Sequence, residues 1–169
     1  MEISVDQIRS LRELTGAGIM DCKKALEEAQ GDPSKAEQIL RASGIARAAS
    51  KAGREAREGI VETYVHSGGR IGAMVELNCE SDFVARLSEF KDLAHQLALQ
   101  VVGMRPEYVD RSDMDGDDKR DPEEVCLLLQ PFIRDDSKVI KDMVTELAAR
   151  VGENVVVRRF SRFELGGEE

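Results

Sequence analysis

No run of apolar residues approaches the ~20 needed to cross a bilayer, and the N-terminus MEISVDQIRS lacks the basic-then-apolar pattern of a secretory signal. A cytoplasmic protein without membrane contact is expected. Cysteine is scarce: Cys22, Cys79 and Cys126 are odd in number and widely separated, which offers neither a disulfide framework nor a CxxC metal site. Reduced, mostly buried thiols follow from that spacing. Histidine is limited to His66 and His95, and no serine or cysteine stands with either in a nucleophile motif. His95 falls at the flank of a helical stripe, the place of a packed or half-exposed structural imidazole. Positive charge is in deficit, with 24 Lys and Arg against 33 Asp and Glu and a net charge of -9. Phosphate backbones are bound by clustered Lys and Arg, so a direct nucleic-acid partner is not expected and a protein partner is. The acidic stretch DMDGDD has Gly116 fourth from Asp113, where a calcium loop needs glycine sixth. The turn Ser67-Gly68-Gly69 opens no helix and precedes no GK[ST], so it makes a poor phosphate cradle. No cofactor, metal or catalytic residue is expected, and the chain reads as a non-enzyme.

What remains is a chain of 169 residues, 41% hydrophobic and 34% charged, enough for one domain or a core with a small appendage. Residues 1–45 read as three short helices. Val5, Ile8 and Leu11 set the stripe of the first, which Thr15-Gly16-Ala17-Gly18 ends. In the second, Ile19, Cys22, Leu26 and Ala29 share a face with Ala25, leaving Met20 on the opposite side beside Lys23, Lys24 and Glu27. An exposed Met among lysines is either an unremarkable surface residue or a contact for an acidic partner helix. Gly31-Asp32-Pro33 supplies a stop, a cap and a first-turn proline for the third helix, whose stripe is Ala36, Ile39 and Leu40. Residues 46–58, ARAASKAGREARE, have no strong apolar stripe and read as a solvated helical linker hinged at Gly53.

The third unit, residues 59–169, begins with a hairpin. GIVETYVH and IGAMVELN alternate with period two around Ser67-Gly68-Gly69-Arg70, with Ile71, Ala73, Val75 and Leu77 on one face. One helix, DFVARLSEFKDLAHQLALQVV, follows with Leu87, Phe90, Ala94, Leu97 and Val101 buried. RPEYVDRSDMDGDDKRDPEE reads as a short strand and a mobile connection. Two helices come next, one around Val125, Leu128 and Leu129 and one over SKVIKDMVTELAARVG, and the strand ENVVVRRFSRFEL closes the chain. The order favours an α+β core with a small antiparallel sheet covered by helices.

NCESDFVAR, where strand turns into helix, poses the functional question. Asp82 lies in a first turn, where the helix dipole favours a carboxylate by ~0.3–1 kcal/mol. Phe83 is in phase with Leu87, Phe90 and Ala94, so periodicity permits a core ring, and spacing alone leaves a projecting ring open.

Three blocks bear on that question: LRELTGAGIMDCKKALEEAQGD at 11–32, GRIGAMVELNCESDFVAR at 69–86 and GENVVVRRFSRFELG at 152–166. With QPFIRD at 130–135, they run in order along nearly the whole chain, which resembles the elongation factor Ts family, guanine-nucleotide exchange factors of bacterial translation. The resemblance implies a three-helix ubiquitin-associated-like module followed by an α+β core. It implies binding to elongation factor Tu in its GDP form. The matching contact positions are Asp82 and Phe83 with Ser81 and Val84, then Arg12, Ile19, Met20 and Lys23 on the N-terminal module, and His66. It conflicts with the helical projection at Ile19, which the stripe places inside. Longer members of the family duplicate the core; one core unit here implies a homodimer whose sheets join near the interface. The rival expectation is a chaperone-like or structural binding protein without exchange activity.

Overall fold

Local signals start the first helices. In the computed structural model, which describes residues 3–167, Ser4 caps α1 (Val5–Thr15): its side chain accepts from the Gln7 amide at 3.2 Å and the Gln7 side chain accepts from the Ser4 amide at 2.9 Å. The Asp32 carboxylate accepts from the Ser34 and Lys35 amides and opens α3 (Pro33–Lys51) with proline in its first turn. Between them lies α2 (Ile19–Glu28). Leu11, Cys22, Ala25, Leu26, Ala29, Ala36 and Leu40 form the module's own small core. Val5 and Ile19, both read as stripe residues, are exposed instead. Each is the first residue of its helix, where the stripe runs past the neighbouring helices and has nothing to pack on.

The third helix does not stop at residue 45. It continues to Lys51, and in this stretch small residues make the contact that an apolar stripe would otherwise make. Gly44 lets α3 approach α7 (Ile140–Val151) so closely that an added Cβ would stand 3.1 Å from that of Ala149. Ala48 is buried in the main core. Of residues 46–58, the first six continue this helix with Ala48 buried and most of the others exposed, and the irregular connection is confined to residues 52–57.

The hairpin of β1 (Glu58–Val65) and β2 (Ile71–Cys79) is joined by β5 (Val156–Glu164) in a three-stranded antiparallel sheet of order β1–β2–β5. Ala73, Val75 and Leu77 point to the buried side as their alternation implied, against Phe90, Ala94, Leu97 and Val101 of α5 (Ser88–Met104). Ile140, Val144 and Leu147 of α7 complete this core. The class is α+β, as expected. Among the described residues no helix is long and apolar enough to cross a membrane, and all three cysteines are unpaired and buried.

Two regions differ from the sequence reading. Between Asp82 and Met104 there is a break: α4 (Asp82–Ala85) is a single turn, and Leu87, extended at φ -64 and ψ 139, precedes α5. Leu87 is consequently exposed. The second region follows α5. Tyr108 makes only an isolated bridge to Cys126, and the acidic connection is organised by Arg120, which pairs with Glu107 and with Asp118 at 2.6 Å. α6 (Pro122–Val125) is one turn, succeeded by a 3-10 turn at Leu127–Leu129 and an unforeseen hairpin, β3 (Pro131–Phe132) and β4 (Asp135–Val139). Two buried amides hold it. Gln100 donates to Gln130 at 3.2 Å and to the Pro131 carbonyl at 3.0 Å, and accepts from the Ile133 amide at 2.8 Å. Gln130 donates to the Glu124 carbonyl at 2.7 Å.

At Gly59, φ is +144 and a Cβ would overlap the Leu77 carbonyl oxygen in the pairing strand. Gly59→Ala is expected to cost about 2–4 kcal/mol in urea unfolding, whereas Gly68→Ala, at φ +90 but with open space around it, should cost about 1 kcal/mol.

Candidate partner-binding surface

The junction between β2 and α4 is held by a residue far along the chain. The Glu153 carboxylate, two residues past α7, accepts from the Glu80 amide at 3.1 Å, the Ser81 amide at 2.9 Å and the Ser81 hydroxyl at 2.6 Å. The clamp is reciprocal: the Glu80 carboxylate accepts from the Asn154 amide at 2.7 Å. Buried Asn154 in turn donates to the Ala52 and Arg54 carbonyls at 3.1 and 2.7 Å, tying in the end of α3. Hydrogen bonds to an ionised acceptor are among the stronger ones a protein makes. Beneath them, burial and then the nearby Glu153 charge push the Cys79 thiol up to about 11, keeping it neutral.

The clamp determines which way the ring at position 83 points. Ser81 is extended, and its hydroxyl accepts from the Val84 amide at 3.4 Å, capping the single turn of α4. Successive helical residues are about 100° apart, so turning Val84 and Ala85 into the core turns Phe83 out. Phe83 is 76% exposed. The break at Leu87 removes the phase that had linked this ring with Phe90 and Ala94. Asp82 lies beside it at the surface, its carboxylate accepting from Arg86 at 2.6 Å. Ser81 is half-buried and Val84 buried beneath this surface. The Ser81 hydroxyl is engaged with Glu153 and Val84, and Val84 is 6% exposed and packed in the core, so both hold Phe83 from below.

A second exposed pair stands at the same end of the molecule. Ile19 and Met20, 54% and 62% exposed, occupy the first turn of α2, so the stripe's inward placement of Ile19 is overturned. Arg12 and Lys23 are exposed nearby, Lys23 lying 3.8 Å from Glu27. The turn carrying these residues abuts α7, since a Cβ at Gly16 would be 3.6 Å from Arg150 Cγ. Arg150 reaches Glu89, in the first turn of α5, at 3.1 Å. The two exposed groups are thus linked through Arg150. His66 does not join them. It sits exposed in the β1–β2 turn, 3.1 Å from the Tyr64 hydroxyl, and β2 carries the chain about 26 Å from there to the α4 junction at ~3.3 Å per residue.

Glu80, Glu153 and Asn154 escaped the sequence reading. In the sequence Glu80 reads only as part of NCESDFVAR, and Glu153 and Asn154 only as the start of the closing strand, which begins at Val156 instead.

The comparisons with known proteins define the class. The family model described as Elongation factor TS matches residues 43–125. An elongation factor Ts of Thermotoga neapolitana is 47% identical over 196 aligned positions, which cover 99% of this chain and 100% of the relative. Those of Thermotoga petrophila and Moorella thermoacetica are 50% and 45% identical, with 98% and 97% of this chain covered. The aligned span of 196 positions exceeds the 169 residues here, so the relatives carry residues with no counterpart in this chain. These likenesses place it among the translation elongation factors. Within that class, the chain belongs to the elongation factor Ts family.

Removing the half-buried Glu153 side chain strands two backbone amides. Glu153→Ala is expected to cost about 2–3 kcal/mol, and Glu153→Gln, which keeps one acceptor, less. Phe83→Ala should lie within about 0.5 kcal/mol of the parent, as for any exposed side chain. Urea unfolding of the three variants checks both statements; a large loss for Phe83→Ala would mean that the ring packs in solution.

Proposed function

We propose that this chain is a guanine-nucleotide exchange factor that binds elongation factor Tu in its GDP form and promotes GDP release in the cytoplasm. The observation that supports this most is the outward Phe83, held with Asp82 on a clamped turn, at the end of the molecule that also exposes Ile19 and Met20. Arg12 and Lys23 border the second pair and supply charge that suits an acidic helix. His66, at the far end of the sheet, would meet the partner only if the complex extends along the whole core.

The mechanism is one of binding and needs no proton transfer. A magnesium ion tolerates little departure from octahedral oxygen coordination at ~2.0–2.1 Å, so displacing its ligands or the phosphate loop by a fraction of that length weakens the nucleotide site. A rigidly presented ring can produce such a displacement. Pre-organisation favours it, because the turn is already ordered before binding. Linkage sets the reverse relation: nucleotide weakens binding of this chain by the same factor. Acceleration by ~10⁴-fold corresponds to ~5.5 kcal/mol, within reach of one aromatic anchor and a broad interface. In stopped-flow release of a fluorescent GDP analogue from elongation factor Tu, Phe83→Ala should slow release at least tenfold. Equal rates for parent and variant would remove Phe83 from the mechanism.

We further propose that the chain is a homodimer. The face of the sheet turned away from α5 carries Val61, Val65, Met74 and Phe163, all exposed, with Phe163 at 73%. The pairing Val65–Gly72–Phe163 places two of them across one row. A second copy laid on this face would bury them. Sedimentation should give a dimer in the micromolar range and a monomer for Phe163→Glu; a parent chain that stays monomeric throughout that range contradicts the proposal.

A further inference from the structure

Most α-helices of this chain start from a residue that suits the task. Ser4, Asp32, Ser81 and Asp121 precede α1, α3, α4 and α6, and each accepts from a first-turn amide through a side-chain oxygen. α2 starts from Gly18, which has no side chain to offer. Among the described α-helices, α5 and α7 start from apolar residues, Leu87 and Val139, and neither has a side-chain cap. At Val139 the fold supplies the reason: the residue ends β4, pairs with Pro131 and is half-buried.

Leu87 has no such reason. It lies in no strand, belongs to neither core cluster and is 40% exposed. Its backbone, at φ -64 and ψ 139, already has the extended geometry of a capping residue. Asn, Asp, Ser or Thr would therefore fit without moving the chain and would answer one of the open amides of the first turn of α5, whereas leucine ranks among the weakest residues there. What surrounds the position is the candidate surface. The Leu87 amide donates to the Val84 carbonyl at 3.0 Å and the Arg86 amide to the Phe83 carbonyl at 3.3 Å, so the turn that presents the ring leads directly into this residue. Two residues further on, Glu89 receives Arg150, whose stem lies against Gly16 in the turn before Ile19 and Met20. Leu87 thus stands between the two exposed apolar groups.

We propose that Leu87 is a contact residue for the partner that receives Phe83, its side chain continuing the apolar surface from the ring towards Met20. This inference rests on the reading of that partner as elongation factor Tu. The occupant follows from continuity: a surface that docks on Phe83 and on the Ile19–Met20 pair together passes over Leu87. A residue held for a partner against the preference of the free chain has a distinctive behaviour, because the substitution that the fold prefers strengthens the chain and weakens the complex. Leu87 adds apolar area beside the ring and does not itself displace anything in the nucleotide site. Its loss therefore acts on the concentration needed for release and leaves the limiting rate nearly unchanged.

The test compares the full parent chain with Leu87→Asn and Leu87→Met, by urea unfolding and by stopped-flow release of a fluorescent GDP analogue from elongation factor Tu over a range of chain concentrations. Leu87→Asn supplies the cap and should raise the urea midpoint by roughly 0.3 M. The same variant should need at least about fivefold more chain for half-maximal release, with the limiting rate within about twofold of the parent. Leu87→Met keeps an apolar side chain without a cap and should match the parent in both measurements. An Asn variant that is stabilised but half-saturates like the parent would overturn the proposal and leave the role of Phe83 standing. An Asn variant no more stable than the parent would overturn it as well, since the leucine would then be packing in the free chain. A parent that does not accelerate release overturns the exchange reading and this inference with it.

Discussion

Two adjacent side chains, Glu153 and Asn154, hold together three parts of the chain that are remote in sequence. Glu153 receives the Glu80 and Ser81 amides and the Ser81 hydroxyl, and its neighbour Asn154 collects the carbonyls at the end of α3. Without these bonds the strand-to-helix junction would present two unsatisfied amides, and the end of α3 two unanswered carbonyls. Glu80, Ser81 and Glu153 are half-buried and Asn154 is buried, where hydrogen bonds compete less with water. The cap on α4, the burial of Val84 and Ala85 and the outward ring of Phe83 all follow from this junction.

A large exposed aromatic ring gains nothing for the free chain's own stability, and its position is set by the residues under it. Val84 and Ala85 are anchored in the same core as Val75, Leu77 and Phe90, so the turn cannot rotate without opening that core. The N-terminal helices are fastened to the same region through Gly44 against Ala149 and through Arg150 to Glu89. Rigidity between Phe83 and the Ile19–Met20 pair therefore comes from packing by small residues and from a few ion pairs. Exposed ion pairs contribute little stability individually; here they set orientation.

The strands of the main sheet and the start of α3 were legible because their signals are local. Asp32 and Pro33 act within one turn, and Ile71, Ala73, Val75 and Leu77 repeat at the strand's own period. The fold class followed from these, and the resemblance in the blocks around Met20 and Phe83 pointed to the family. Phe83 itself was ambiguous because periodicity assumes an unbroken helix, and the break at Leu87 leaves no strong local mark. The role of Gly44 and Ala48 was hidden for a related reason: contact through small residues has no hydrophobic stripe. Glu153 could not be found from spacing at all, since its partners lie about seventy positions earlier and meet it only once the sheet has formed.

Amide hydrogen exchange across residues 79–85, in the parent and in Glu153→Ala, tests the central claim most directly. If Glu153 fixes the turn that presents Phe83, the Glu80, Ser81 and Val84 amides are protected in the parent and exchange much faster in the variant, while Val75 and Leu77 in β2 keep their protection. Equal exchange at these amides in both proteins would mean that the turn is held by something else, and that the outward ring does not depend on the clamp.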